Sequence, residues 1–244
     1  MKVAVILPAA GLGTRMGRPS AEKAGTSRKQ FMLLDGAPIL VHSVRKFAAA
    51  PRVDEIVVAV RQDDLEWVED LLRREVHGKP LRVVEGGDSR QESVANALRA
   101  LAPDTTLVAV HDAVRPFIDL ETIDKVIAEA AETGAAIVGI VPVDTVKQVA
   151  RAQTNKARIR ATLPREKLVL AQTPQVFRYD LLVRAFAAAR NDSFIGTDES
   201  SLVERLEVEV SVVLGSDRNI KITKPSDMDL ARLFLEEETA PREL

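Results

Sequence analysis

The chain has 244 residues, 46% of them hydrophobic, and its 34 Lys plus Arg against 36 Asp plus Glu leave a formal net charge of −2. A near-neutral balance gives no electrostatic ground for a nucleic-acid partner, and one Trp, one Tyr and seven Phe offer few platforms for stacking bases. No run reaches the roughly 18 apolar residues of a membrane span, so no membrane is expected, and the absence of Cys removes disulfides, thiolate zinc sites and cysteine nucleophiles while suiting a reducing cytoplasm.

Short apolar runs at residues 3–8, 55–60, 81–86, 106–112 and 135–143 read as strands buried on both faces, because they are β-branched, continuous and too short for helices. Between them lie stripes of helical period: Leu65, Val68, Leu71, Leu72 and Val76, then Val94, Ala97, Leu98 and Leu101, then Leu120, Ile123, Val126, Ile127 and Ala130. Asp63 with Glu66 and Ser89 with Glu92 have the spacing of capping boxes. Strand alternating with helix predicts an α/β fold, a Rossmann-like, mostly parallel twisted sheet with helices on both faces. The rhythm breaks after Val143. A basic stretch (Lys147, Arg151, Lys156, Arg158, Arg160, Arg165, Lys167) with no helical stripe reads as an extended β-arm at about 143–170, either a solvated excursion or an arm that reaches a second subunit. Beyond it come a helix at 179–190, another opened by Thr197 and Asp198, a strand at 208–214, and a last helix from Ser226, with Asp229 at capping-box spacing, to about Glu238. Without a linker or a repeat, residues 1–244 are expected to form one domain with a protruding arm.

The first strand runs into Leu7-Pro8-Ala9-Ala10-Gly11-Leu12-Gly13-Thr14-Arg15-Met16-Gly17. Ligands of α/β sheets bind beyond the carboxyl ends of strands. Small residues at Ala9, Ala10, Gly11 and Gly13 let backbone N–H groups converge on a phosphate. The glycine spacing is neither that of a dinucleotide fingerprint nor that of a Walker loop. Arg15, and Lys29 in Arg28-Lys29-Gln30-Phe31, add two cations suited to a polyphosphate that gathers charge as it reacts.

Those blocks resemble the opening of the nucleotidyltransferases that make sugar- and polyol-nucleotides. Further blocks narrow the resemblance: Gly86-Gly87-Asp88-Ser89-Arg90-Gln91-Glu92-Ser93-Val94, His111-Asp112-Ala113-Val114-Arg115-Pro116, Pro142-Val143-Asp144-Thr145-Val146-Lys147, Gln172-Thr173-Pro174-Gln175-Val176-Phe177, Thr197-Asp198-Glu199 and Asn219-Ile220-Lys221-Ile222-Thr223. In this order they are similar to the 2-C-methyl-D-erythritol 4-phosphate cytidylyltransferases of the non-mevalonate isoprenoid pathway. The chain ends soon after its last helix, so the cyclase domain fused to some relatives is not expected.

The resemblance implies a Mg²⁺-dependent, homodimeric enzyme with CTP and a polyol phosphate as substrates. Arg15 and Lys29 would hold the triphosphate and stabilise the transition state, while Gly86, Gly87, Asp88 and Ser93 would read cytosine and ribose. Ser89 is already explained as a helix cap. Asp112 either ligates Mg²⁺ or meets a substrate hydroxyl, unless it is a buried cap. Arg115 would bind the acceptor phosphate. His111 is read as a structural neighbour, since an ionised phosphate nucleophile needs no base. Thr145 and Arg165 would cross the dimer on the arm to the neighbour's acceptor site, and Lys221 would orient the acceptor for in-line attack. An inward Lys in a strand-like run is costly unless it faces an anion. Thr173 would add a hydroxyl contact; Thr197 is either another or a helix N-cap.

One departure from the family is the long stretch 17–28, in which Arg28 stands where Pro usually precedes the Lys. Its composition suits a lid over CTP and makes Lys23 a competitor of Lys29. Rival readings are a cytidylyltransferase for another polyol phosphate such as ribitol 5-phosphate, a nucleotide-binding oxidoreductase, which the glycine spacing disfavours, and a nucleotide sensor without catalysis.

Overall fold

The computed structural model describes residues 1–11, 28–150 and 157–239. Its central feature is a seven-stranded sheet built from β1 (Val3–Pro8), β4 (Glu55–Val60), β5 (Leu81–Glu85), β6 (Leu107–Val110), β7 (Ala135–Ile140), β10 (Leu170–Arg178) and β11 (Ser211–Leu214), in the order β11-β7-β10-β6-β1-β4-β5. Every pairing is parallel except the two made by β10, which runs antiparallel to both β6 and β7. The expected α/β architecture is present, with one reversed strand inside the sheet.

Successive residues of a strand point to opposite faces, and the core divides accordingly. Val3, Val5 and Leu7 of β1 pack with Ile56, Val58 and Val60 of β4 on the face covered by α1 (Ile39–Ala49), α2 (Leu65–Glu75) and α4 (Leu120–Thr133). Ala4 and Ile6 pack with Val57 and Ala59 on the face covered by α3 (Arg90–Arg99), α5 (Tyr179–Asn191) and α6 (Glu199–Glu204). The three predicted helical stripes are α2, α3 and α4. A third cluster joins α7 (Pro225–Thr239) to the small hairpin of β2 (Leu33–Leu34) and β3 (Ala37–Pro38) through Leu34, Phe117, Ile222 and Met228. Among the described residues no helix is long and apolar enough to cross a membrane.

Several local expectations change. β5 is one of the sheet's two edge strands, with β11 the other, and is only partly buried, because among the described residues no strand pairs with its outer side. The apolar segment after Lys29 contains α1, and Gln172 to Phe177 lie within a strand, β10, whose pairing shifts register between Ala171 and Gln175, around Pro174. Asp63 does not cap α2; it lies in a 3-10 turn, Gln62–Asp64, that runs into the helix. Ser89 does cap α3, accepting from Glu92 N–H, while the Glu92 carboxylate accepts from Asp88 N–H. Asp198, rather than Thr197, caps α6 by accepting from Ser201 N–H at 3.0 Å. α7 starts at Pro225, the position in a helix where a missing N–H costs nothing. The basic arm is an antiparallel hairpin of β8 (Val146–Val149) and β9 (Ile159–Leu163), forming its own two-stranded sheet.

Candidate active site

The parallel strands β6, β1, β4 and β5 end side by side, so the segments following them meet along one edge. The chain order reverses between β1 and β6, which is where an α/β sheet opens a crevice. Ala9 follows β1 closely, its N–H donating to Ala59 O at 2.7 Å. The buried Gln30 side chain donates to Ala9 O at 2.6 Å and to Gly11 O at 3.0 Å, fastening the 3-10 turn Lys29–Phe31 against the segment that follows β1. Arg28 pairs with Asp64, and Phe31 packs edge-to-face on Trp67, 4.8 Å between ring centres. Lys29 is thereby held at the cleft wall. Gly13, Arg15 and Lys23 lie outside the described residues, as does most of the 17–28 stretch.

Beyond β5, Gly86 N–H donates to Val60 O at 2.6 Å, and a Cβ at this position would stand 2.6 Å from Ala10 Cβ and 3.0 Å from Ser93 Oγ. Only glycine lets these two loops approach so closely. The buried Ser93 hydroxyl accepts from Gly87 N–H at 3.0 Å and donates to Ser89 O at 2.8 Å, shaping the loop it was expected to serve as a ligand contact.

Beyond β6 lies the electrostatic centre. The buried Asp112 carboxylate faces Lys221 Nζ at 2.8 Å, Arg90 Nε at 3.1 Å and Arg115 Nε at 3.4 Å. Burial opposes its ionisation, but Arg90, Lys221 and Arg115 together prevail and hold the carboxyl far below the ordinary carboxylate range. Arg90 also donates to the fully buried Glu199 at 2.6 Å. Burial raises the pKa of Glu199 despite that cation. Burial works against charge on Arg90 as well, yet Glu199 and Asp112 reverse it and keep the guanidinium protonated. Three cations meet two carboxylates, so the cluster favours a further anion such as a phosphate. Asp112, expected to ligate Mg²⁺ or to meet a substrate hydroxyl, has both oxygens facing cations, and no group of three or more candidate ligand residues stands among the described residues. His111, buried beneath this turn, is pushed by burial down to about 4 and is neutral at physiological pH.

A cleft of about 480 Å³ gathers Ala9, Ala10, Gly11, Lys29, Gly87, Asp88, Ser93, Asp112 and Lys221. Gly86 lines an adjoining hollow of about 410 Å³. Arg115 stands behind the wall, its Nη1 donating to Asn219 O at 2.6 Å. Lys221 is not in a strand; it is positioned by Asn219, whose side chain donates to Thr173 O, and by Ile222 N–H donating to Val114 O. Its anion is Asp112. Thr173 does not open onto the cleft: its hydroxyl is buried between Asp112 N–H and His111 Nδ1. Thr197 is exposed and, like Thr145 and Arg165 at the base of the hairpin, outside the cleft lining. Gln30, Arg61, Arg90 and Glu199 were not anticipated as site residues, although Gln30, Arg90 and Glu199 stand inside motifs quoted for other residues. A larger, mainly apolar cavity of about 690 Å³ between α3 and α5 is lined by none of the anticipated site residues.

The family model described as "IspD: 2-C-methyl-D-erythritol 4-phosphate cytidylyltransferase" matches residues 3–237. The chain is similar to the 2-C-methyl-D-erythritol 4-phosphate cytidylyltransferase of Solibacter usitatus, 73% identical over 240 residues and 98% of both chains. It is also similar to that of Acidobacterium capsulatum, 50% identical over 98% of this chain and 100% of the relative. Among solved structures, the 4-diphosphocytidyl-2C-methyl-D-erythritol synthase of Anaerococcus prevotii superposes with a TM-score of 0.82 at 29% identity, covering 96% of each chain. The cytidylyltransferase of Thermus thermophilus superposes at 0.75 and 32% identity, covering 96% of this chain and 98% of that one.

Proposed function

The chain belongs to the 2-C-methyl-D-erythritol 4-phosphate cytidylyltransferase family, and on that premise we propose how its residues divide the work. The reaction transfers the cytidylyl group of CTP to 2-C-methyl-D-erythritol 4-phosphate in the non-mevalonate isoprenoid pathway. A phosphate oxygen of the acceptor forms a bond to the α-phosphorus, the bond to the β-phosphate oxygen breaks, and pyrophosphate leaves. The chemistry requires positioning and charge neutralisation more than proton transfer.

The backbone from Ala9 to Gly13 cradles the triphosphate, with Arg15 and Lys29 drawing charge from the transition state. Gly86, Gly87, Asp88 and Ser93 shape the floor for cytosine and ribose. Asp112 aligns Arg115 and Lys221 on the acceptor. Mg²⁺ fits as a cation carried on the triphosphate, since it commonly keeps waters and phosphate oxygens as most of its ligands; bound there it supplies further charge neutralisation. Asp112 and Asp88 are the carboxylates of the described cleft wall, and the engagement of Asp112 with three cations makes it an organiser of them rather than a direct ligand.

The enzyme works in the cytoplasm as a homodimer whose β8–β9 hairpins exchange, each delivering Thr145 and Arg165 to the other subunit. Support comes from the hairpin's exposed apolar residues, Val149 and Ile159, with Val143 and Leu170 at its base. Neither Thr145 nor Arg165 lines the cleft of its own subunit. The carrying observation is the convergence of Lys29, Gly87, Asp88, Asp112 and Lys221 on one cleft.

Pyrophosphate release from CTP and 2-C-methyl-D-erythritol 4-phosphate tests the division of labour. Lys29→Ala and Arg165→Ala subunits, each inactive alone, are expected to regain activity when mixed into verified heterodimers, because one site of each pair is then intact. No recovery would place Arg165 in service of its own subunit. Ribitol 5-phosphate, run in parallel, is expected to release none.

A further inference from the structure

The acceptor turn His111–Arg115 carries two side chains, Asp112 and Arg115, whose separation must be fixed for an acceptor phosphate to be seated, and its backbone is tied at several points. Ala113 O accepts from Ser43 Oγ at 3.0 Å, Val114 O from Ile222 N–H at 2.9 Å, and Arg115 N–H closes the turn on Asp112 O at 3.0 Å. The His111 ring also reaches both ends. Its Nε2 lies 3.0 Å from Arg115 O, and its Nδ1 lies 3.1 Å from Thr173 Oγ1, which is itself 3.0 Å from Asp112 N.

The donors and acceptors allow only one direction around this loop. A carbonyl only accepts, so Nε2 carries the proton and Nδ1 presents its lone pair. The Thr173 hydroxyl must then donate to Nδ1 and accept from Asp112 N–H. The chain Asp112 N–H to Thr173 O–H to His111, and His111 Nε2–H to Arg115 O, leaves no member unpaired. His111 is fully buried, its ring edge-to-face with Phe47 at 4.7 Å, and it does not line the cleft, so it has no route to a reacting atom. A satisfied buried network of this kind holds one arrangement against its alternatives.

We propose that His111, acting through Thr173, is a positioning residue for the acceptor: it spans the turn and sets where Asp112 and Arg115 stand. This rests on the reading of Asp112 and Arg115 as acceptor-binding residues. The role is one of specificity for the acceptor over the nucleotide, because the loops that meet CTP are tied elsewhere, by Gln30 and Ser93.

The test is steady-state kinetics with CTP and 2-C-methyl-D-erythritol 4-phosphate varied separately, accompanied by thermal melts. Thr173→Val keeps the shape and removes the hydroxyl, and Thr173→Ser returns it. His111→Asn keeps an acceptor toward Thr173 and loses the donor to Arg115, whereas His111→Gln does the reverse. Thr173→Val and both His111 variants are expected to raise KM for the acceptor about tenfold or more while leaving KM for CTP within about twofold, the scale of a small misplacement of binding groups. Thr173→Ser is expected to match the parent protein in both. A lower melting temperature with both KM values unchanged would overturn the proposal in favour of a purely structural role, as would an equal rise in both. Should the His111 variants not fold, the Thr173 pair decides alone. Arg115→Ala separates the layers. If it raises the acceptor KM and the others do not, this inference fails and the acceptor reading stands; if it leaves that KM unchanged, both fall.

Discussion

Lys221 Nζ stands 2.8 Å from Asp112 Oδ2, two side chains 109 positions apart brought together beyond the end of β6. The lysine is about one-third exposed while the aspartate is buried, so the ammonium faces the cleft with its counter-ion behind it. Removing Lys221 leaves Asp112 with Arg90 and Arg115, and the fold keeps a balanced cluster. Lys221→Ala is therefore expected to melt within a few degrees of the parent protein and to lower kcat by roughly 10²–10³, the scale of one lost transition-state donor. Pyrophosphate-release kinetics with a thermal scan check both halves; undiminished kcat would remove Lys221 from the acceptor's alignment.

Arg90 has a different balance of duties, because it reaches Asp112 with Nε and the buried Glu199 with Nη1. Taking the cation away strands a carboxylate that burial already pushes toward its neutral form. Arg90→Ala is expected to cost about 3 kcal/mol of stability, measured by urea unfolding. Adding Glu199→Gln should return about half of that, since the stranded charge is what hurts. A double variant no more stable than the single one would show that the cost lies in packing rather than in the unpaired carboxylate.

Glycines at 86 and 11 are required for different reasons, and alanine separates them. At Gly86 the added Cβ would meet Ala10 Cβ at 2.6 Å, so the protein itself must move; at Gly11 it meets nothing within 4 Å among the described residues. Gly86→Ala is expected to lower the melting temperature and raise KM for CTP about tenfold, overpacking of this sort costing about 1–3 kcal/mol. Gly11→Ala is expected to melt like the parent protein and still bind CTP more weakly, because the space it fills is where the nucleotide's phosphates approach. An unchanged CTP affinity for Gly11→Ala would move the triphosphate away from this loop.

The strands 3–8 and 55–60, like those at 106–112 and 135–143, are legible because a strand covered by helices on both faces must be apolar throughout and is too short to be a helix. β10 was hidden for the opposite reason: Gln172, Thr173, Pro174 and Gln175 interrupt its apolar signal, and these polar groups are satisfied only by partners far away in sequence, such as Asn219 and Asp198. The same holds for the site. Residues that act through a local motif, such as the loop at Ala9 to Gly11, could be read from their neighbours. The pairing of Arg90 with Glu199, or of Gln30 with Ala9, depends on strand order, which periodicity does not carry. Thr197 and Asp198 are both good caps by composition, and only the backbone decides for Asp198.

The start of α7 lies two residues beyond the end of the run that carries Lys221, and Asp227 holds it there. One of its carboxylate oxygens accepts from Thr223 N–H at 2.8 Å, Thr223 Oγ1 at 3.0 Å and Lys224 N–H at 3.0 Å. Burial is the largest single influence and disfavours its charge, but the Thr223 and Lys224 donors together outweigh it and lower its pKa below the ordinary carboxylate value. An acid depressed in the folded state binds fewer protons there than in the unfolded chain, so its contribution is complete above the unfolded value near pH 4 and disappears as the pH falls through the folded one. Asp227→Ala is accordingly expected to lose about 1 kcal/mol at pH 7, the usual worth of a helix-start cap, and progressively less below about pH 4. Urea unfolding of both proteins from pH 7 to pH 3 measures the gap directly. A difference that stays constant across that range would mean that Asp227 stabilises α7 by shape or hydrogen bonding alone, without its charge.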